Sequence, residues 1–262
     1  MSRYATLFMT QLRTSVATAM QYRANFFIES ALSVAWLAIA LLPLIVLFEQ
    51  RDSVAGWDKA SALIVMAYFM AVKAIMEGMV SPSLVALVEK IRTGAFDYVL
   101  LKPVDSQFMV STAGYEPQKA IDLAGAIALA CYAFSQRGVW PTADQLGIGV
   151  LLLASGVLAM YSLWVICAAA SFWVVRLDNL IYLLQAIFDT ARWPIQVFRG
   201  AWRFLFTFII PVAIMTTFPA MALLGRLSAR TTLLTLGGSL VMLLVSRVIW
   251  RAAIRNYTSA SS

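Results

Sequence analysis

Polar and apolar positions alternate at helical spacing near the start of the chain, then give way to long apolar runs separated by short polar breaks. Within residues 1–25 a helical wheel places Tyr4, Phe8, Leu12, Val16 and Ala19 on one side. Arg3, Thr6, Thr10, Arg13, Thr14 and Gln21 fall on the other. An apolar stripe opposite a polar, basic face predicts a helix lying in the membrane interface. Six apolar runs follow, at 27–48, 61–80, 109–135, 146–175, 180–198 and 231–250. Each is near the roughly 20 residues that a helix needs to cross a bilayer. The first carries Glu29 near its start and Pro43 near its end. The third is the least uniform: Glu116, Lys119 and Asp122 occupy its first half, so its apolar body is 121–134.

Two further segments punctuate this series. Ser81 and Pro82 read as a helix start, with Ser at the N-cap and Pro at the first helical position, and Gly94 sits where a C-terminal cap belongs. The spacing predicts a short loop helix over 82–94. Residues 204–224 are apolar but carry Pro211 and Pro219, eight residues apart, which argues against a straight span. Irregular backbone at membrane depth is tolerated only where protein or a water-lined cavity satisfies it. The pattern therefore predicts a re-entrant pair of half-helices between spans five and six. The expected fold is an all-α integral membrane protein forming one domain over 1–262. It has six transmembrane helices, an N-terminal interfacial helix, a loop helix and a re-entrant region.

Composition excludes a soluble domain. The chain is 61% hydrophobic and 13% charged, against roughly 45–50% and 25% in soluble proteins. Its net charge of +7 is carried by singly spread residues with no basic stripe, so these read as membrane flanks and no nucleic-acid partner is expected. On one side of a six-span chain lie Arg3, Arg13, Arg23, Lys90, Arg92, Lys102, Arg176, Arg247, Arg251 and Arg255. On the other lie Arg51, Lys59, Arg137, Arg199, Arg203, Arg226 and Arg230. Ten against seven favours cytoplasmic termini. A full crossing by 204–224 would make seven spans and move the basic C-terminal tail outside. The spacing of Arg3, Arg13 and Arg23 does not suit a cleaved signal, so the mature chain is expected to begin at or near Met1.

Few residues suit chemistry. The chain has no His and two cysteines, Cys131 and Cys167, both inside apolar runs. A zinc site, a Cys–His nucleophile and a disulfide framework all lack their parts, and the cysteines read as packing residues. No Gly-x-x-x-x-Gly-Lys-Ser/Thr phosphate loop is present, so no cofactor is expected in this chain. Lys73 and Glu77 stand four apart on one face of span two. They can pair, which lowers the cost of charge in the membrane and marks either a gating or pathway position or a structural pair. Asp189 and Arg192 pose the same choice, because beside Pro194 they could instead anchor the outer end of span five. Trp164, Phe172, Trp173, Trp193 and Trp202 suit either an aromatic path or an interfacial belt. Gly147, Gly149 and Gly156, with Ala154 and Ala159, allow close helix approach in span four.

The most informative stretch is 88–104, VEKIRTGAFDYVLLKPV. An acidic and basic pair, Glu89 and Lys90, is followed by Gly94, Asp97, Leu100, Leu101 and Pro103. In that order and spacing the stretch resembles the loop of the ABC-2 transporter permease family. With Ile91, Arg92 and Lys102 added, it is similar to a bacterial subgroup whose substrates are largely unassigned. Ser171-Phe172 with Asn179-Leu180, Arg192-Trp193-Pro194, Ile210-Pro211 with Phe218-Pro219, and the 257–261 end resemble the same subgroup, so the resemblance covers nearly the whole chain.

The resemblance implies an exporter permease in the bacterial inner membrane that moves a lipophilic or amphipathic small molecule. It implies a second permease half, identical or homologous, and two separate ATPase subunits that hold ATP and Mg and dock on the 82–103 loop, whose 82–94 helix is the coupling helix and whose Gly94, Asp97, Leu100, Leu101, Lys102 and Pro103 belong to the coupling residues. In that reading Leu87, Val88 and Ile91 are the apolar contacts and Glu89 and Arg92 set the register. Pro211 and Pro219 join Lys73, Glu77, Asp189 and Arg192 as pathway or gating candidates. An ion-gradient-driven transporter is the alternative, since half-helix ends over 204–224 could coordinate an ion. An intramembrane enzyme has no named chemistry here.

Overall fold

The computed structural model describes residues 3–173 and 185–257. The chain is nearly all helical. Helix α1, Arg3–Gln21, buries none of its residues but rests its apolar side on a later loop. Tyr4 meets Phe108 edge-on at 5.0 Å and Phe8 meets Tyr115 at 5.5 Å. The helix breaks at Tyr22 and resumes as α2, Arg23–Gln50, with Pro43 inside it. Phe27, Leu32, Trp36, Ile39, Leu42 and Val46 of α2 are exposed, as side chains facing lipid are. A hairpin pairs Ser53 with Asp58 and Val54 with Trp57. Its turn residues, Ala55 and Gly56, both have positive φ, as a tight two-residue turn requires.

Asp58 then caps α3, Lys59–Ile75, by accepting from the Ser61 N–H. Every residue from Ser61 to Val72 is buried, so α3 is the central helix, apolar on all sides. The loop helix differs from the expected separate element. Helix α3 passes through a π turn, Met76–Val80, into α4, Ser81–Arg92, and the run Lys59–Arg92 is one helical stretch of 34 residues. Ser81 is not an N-cap: its own backbone is helical, and its N–H donates to the Met76 carbonyl. Proline ordinarily breaks such a run because it leaves a carbonyl one turn back without a donor. Here that carbonyl, Gly78 O, accepts the Glu116 N–H at 2.8 Å, so Pro82 is accommodated. The C-terminal end is as expected, with Gly94 at φ 75° closing the helix after Thr93.

The third expected span, 109–135, is not one helix. After α5, Asp97–Leu100, and α6, Ser106–Ser111, the chain leaves helical geometry. It resumes as a 3-10 turn, Pro117–Lys119, and α7, Ala120–Arg137. Ser83 holds this break open, its hydroxyl donating to Gly114 O at 3.0 Å and accepting from Gly114 N at 2.9 Å. Helix α8, Ala143–Ala170, begins with a full capping box between Thr142 and Gln145 and stops short of residue 175.

Val174 and Val175, Arg176, Asp178, Asn179, the first residues of the expected fifth span and the 258–261 tail lie outside the described residues. The described part of that span is not a continuous helix to 198. Residues 185–188 are helical, followed by 3-10 turns at Asp189–Arg192 and Ile195–Val197. Between them Trp193 is extended, the conformation imposed on a residue that precedes proline.

Residues 200–223 form two short helical pieces. Helix α9, Gly200–Phe204, runs into a π turn, Leu205–Ile209. Ile210 is extended before Pro211. A second π turn, Ala213–Thr217, then leads into α10, Phe218–Leu223. Pro211 makes the break, whereas Pro219 lies inside the continuous helical run Ala213–Leu223, directly after the second π turn. The second piece is buried and tied to the Asp189 region. Thr216 Oγ1 donates to Ala191 O at 2.9 Å, and Thr217 Oγ1 accepts from Ile195 N at 3.0 Å. Gly149 and Gly156 of α8 let it approach closely, since a Cβ on Gly156 would lie 2.9 Å from Met215 Cα. Gly147 faces open space. Helix α11, Ala229–Arg255, closes the bundle against α8, where Ser155 Oγ donates to Ser239 Oγ at 2.7 Å. Four helical runs among the described residues are long and apolar enough to cross a membrane: Ala24–Gln50, Lys59–Arg92, Ala143–Ala170 and Ala229–Arg255.

Candidate functional site

The loop after α4 is anchored by a residue outside the motif read from sequence. Phe96 is fully buried and meets Phe172 at 5.2 Å, Tyr257 at 5.3 Å and Trp250 at 6.2 Å, each edge-on. This aromatic knot joins the loop to the ends of α8 and α11. A second anchor is ionic. Asp105 caps α6 and takes both terminal nitrogens of Arg247, one of which also donates to Gln107 Oε1 at 2.9 Å. Trp250 Nε1 donates to Ser106 Oγ at 3.2 Å beside it. Burial alone would raise the Asp105 pKa, but Arg247 and the Phe108 N–H hold it below the usual carboxylate value.

With its inner side anchored, the loop presents apolar residues outward. Tyr98 is 72% and Leu101 79% exposed, and Val85 and Leu100 are exposed too. Lys102 and Pro103 continue the surface, and Glu89 and Arg92 form an exposed pair at 2.7 Å. The three apolar contacts expected on α4 sit differently. Leu87 is fully buried and belongs to the core, because it sits on the face of α4 turned toward the bundle. Val88 and Ile91 are partly buried against that core, so they are not a free apolar face. Gly94 serves as a helix cap. Asp97 opens α5 and, after burial, is the second influence raising the Tyr257 hydroxyl pKa. Val85 and Tyr98 were not among the residues picked out from sequence, where nothing marks which apolar residues of an amphipathic loop face outward. The Asp105–Arg247 pair was missed because its members are far apart in the chain.

The two charge pairs read from sequence meet in space. Lys73 Nζ lies 3.8 Å from Glu77 and 3.5 Å from Asp189. Arg192 reaches the Asp189 carboxylate at 3.8 Å and donates to its backbone oxygen at 2.7 Å. Lys119 extends the chain of charges, 2.7 Å from Glu77 and 3.5 Å from Asp122. The Phe69 ring centroid lies 5.8 Å from both Lys73 and Arg192. From sequence, Lys119 and Asp122 read as the charged first half of span three, lying near the membrane surface or facing a protein partner, with no link to Glu77. Lys73 and Glu77 stand between two cavities. One, of about 310 Å³, opens toward Trp36 and Leu37 of α2 and Asp122 of α7. The other, of about 170 Å³, lies between α3, α8 and the Asp189 turn and is walled by Ser81, Trp164 and Gln185.

The remaining sequence candidates scatter. Trp164 is buried, Trp173 and Trp202 are exposed, and Phe172 belongs to the aromatic knot. Pro211 lies at the helix break and Pro219 inside α10. Cys131 is exposed on α7, so it is not packed within this chain.

A family model described as ABC-2 family transporter protein matches residues 34–261. No curated protein and no solved structure matches the chain.

Proposed function

Because the chain belongs to the ABC-2 family of transporter proteins, and so is a multi-pass membrane transport component rather than a catalyst, we propose that it is the permease of an ATP-driven exporter. In this reading it moves a lipophilic or amphipathic small molecule across the bacterial inner membrane. Two ATPase subunits carry ATP and Mg and dock on the 82–103 loop. A second permease half, identical or homologous, completes the complex.

The observation that carries the coupling assignment is the outward apolar surface of Val85, Tyr98, Leu100 and Leu101 at the end of a continuous 34-residue helical run. The unbroken helical run links the loop end to Lys73 and Glu77, so a push on the loop can shift them, and transport follows if the two positions favour different packings of the spans.

The six-span reading draws support from contacts that sort the loops by end, and the cytoplasmic side of the termini rests on the count of basic residues. Arg137 donates to Ser61 at 2.8 Å, and Trp57 donates to Gln196 at 3.1 Å. Gly200 and Arg226 line one cleft, which supports reading 204–224 as re-entrant. Phe96, Phe172, Trp250 and Tyr257 gather at the other end.

The test is reconstitution of the permease with its ATPase and any companion half, comparing wild type with a Tyr98→Asp plus Leu101→Asp double variant. Both side chains are exposed, so the double variant is expected to keep its thermal midpoint and lose stimulation of ATP hydrolysis. Unchanged stimulation overturns the docking assignment. The charges joined through Lys73 and Glu77 favour one other reading, a transporter driven by an ion gradient. Uptake into proteoliposomes holding this chain without any ATPase decides for it.

A further inference from the structure

We infer that the 170 Å³ cavity beside Lys73 binds an uncharged oxygen acceptor of the cargo, such as an amide or ester carbonyl, a reading that rests on the transport function proposed above. Among the described residues, Trp164 Nε1 and Ser81 Oγ are buried without a hydrogen-bond partner, and both residues wall this cavity. Trp164 is only 3% exposed and Ser81 9%. A buried polar group left unpaired costs about 1–3 kcal/mol, so two at one cavity call for a partner. An indole N–H only donates, so the partner at Trp164 has to accept.

The backbone prepares the place. The π turn Met76–Val80 ends at Ser81, whose N–H reaches back to Met76 O, and π turns recur at functional sites. The surrounding charges argue against an ionic ligand. Lys73, Lys119 and Arg192 are paired with Glu77, Asp122 and Asp189, and Glu116 adds a further carboxyl group within electrostatic reach of Lys119 and Glu77. Glu77 is held by Lys119 at 2.7 Å and Asp189 by Arg192. A further ion would enter a partly desolvated site whose cations are already paired and would have to displace one of those partners, which is costly. A neutral carbonyl brings no charge and meets the unpaired donors. Met76, Met160 and Phe188 supply apolar wall for the rest of the group.

The experiment uses the full-length permease, with its companion half if it has one, in lipid nanodiscs without ATPase. Three probes share an eight-carbon tail and differ in head: N-octylacetamide, octanoate and octylammonium. Binding above empty nanodiscs is measured for wild type, Trp164→Phe, Ser81→Ala and Trp173→Phe, the last at an exposed indole outside the cavity. N-octylacetamide is expected to bind saturably, about fivefold more weakly in Trp164→Phe and in Ser81→Ala, the equivalent of one neutral hydrogen bond each. Trp173→Phe is expected to match wild type, and the two ionic probes to bind no more than to empty nanodiscs. No saturable binding of N-octylacetamide, equal affinity in Trp164→Phe, or stronger binding of either ion overturns the inference, and the first of these leaves the two donors to water. ATPase stimulation by the same preparations reads the coupling assignment separately, so loss of one is distinguishable from loss of the other.

Discussion

Leu87 and Leu101 show what a loop motif leaves open at the level of single residues. Both are leucines in one amphipathic stretch, yet one is fully buried and the other 79% exposed. Leu87→Ala should therefore cost about 2–5 kcal/mol through the cavity it leaves, read as a lower unfolding midpoint in detergent. Leu101→Ala should leave the midpoint nearly unchanged and weaken ATPase stimulation. Asp105 gives a pH-dependent case. Burial raises its pKa, but Arg247 and the Phe108 N–H outweigh burial, and the folded value lies below the ordinary 3.8. The clamp thus adds stability above the ordinary value and loses it as pH falls through the lowered one. Asp105→Asn should be less stable than wild type at pH 7 by about 1–2 kcal/mol. The gap should close as unfolding is repeated below pH 4, in steps through the lowered value.

At the level of elements, prolines and glycines behave according to what surrounds them. Pro82 leaves the helix running because Glu116 N–H satisfies the Gly78 carbonyl, and Pro211 interrupts one because Ile210 before it is extended. Sequence spacing treats Pro211 and Pro219 alike, while the structure separates them by whether the helix has begun. The glycines of α8 divide in the same way. A Cβ at Gly156 would strike Met215 backbone at 2.9 Å, and one at Gly147 would meet nothing. Gly156→Val should cost about 1–3 kcal/mol through overpacking, while Gly147→Val should be close to neutral, both read by thermal unfolding in detergent.

At the level of the whole molecule, the arrangement of ends is open to direct measurement. In a background with Cys131 and Cys167 changed to Ser, single cysteines at Thr93, Gly138 and Arg226 report the side of each loop. A membrane-impermeant maleimide applied to intact cells should label Gly138→Cys and Arg226→Cys, and reach Thr93→Cys only after permeabilisation. Labelling of Gly138→Cys but not Arg226→Cys would mean that 200–223 crosses fully. Hydrophobic periodicity and composition alone determined that the chain is a membrane protein, where its main apolar helices run, and that 204–224 is broken, because lipid demands long apolar stretches and backbone breaks follow local proline chemistry. Only the tertiary structure decided that Lys73, Glu77, Lys119, Asp122, Asp189 and Arg192 form one network. It alone turned Leu87 inward and clamped Asp105 to Arg247. The physical reason is that side-chain partners distant in the chain meet only when helices pack, and which face of a helix meets its neighbour is set by that packing rather than by the helix itself.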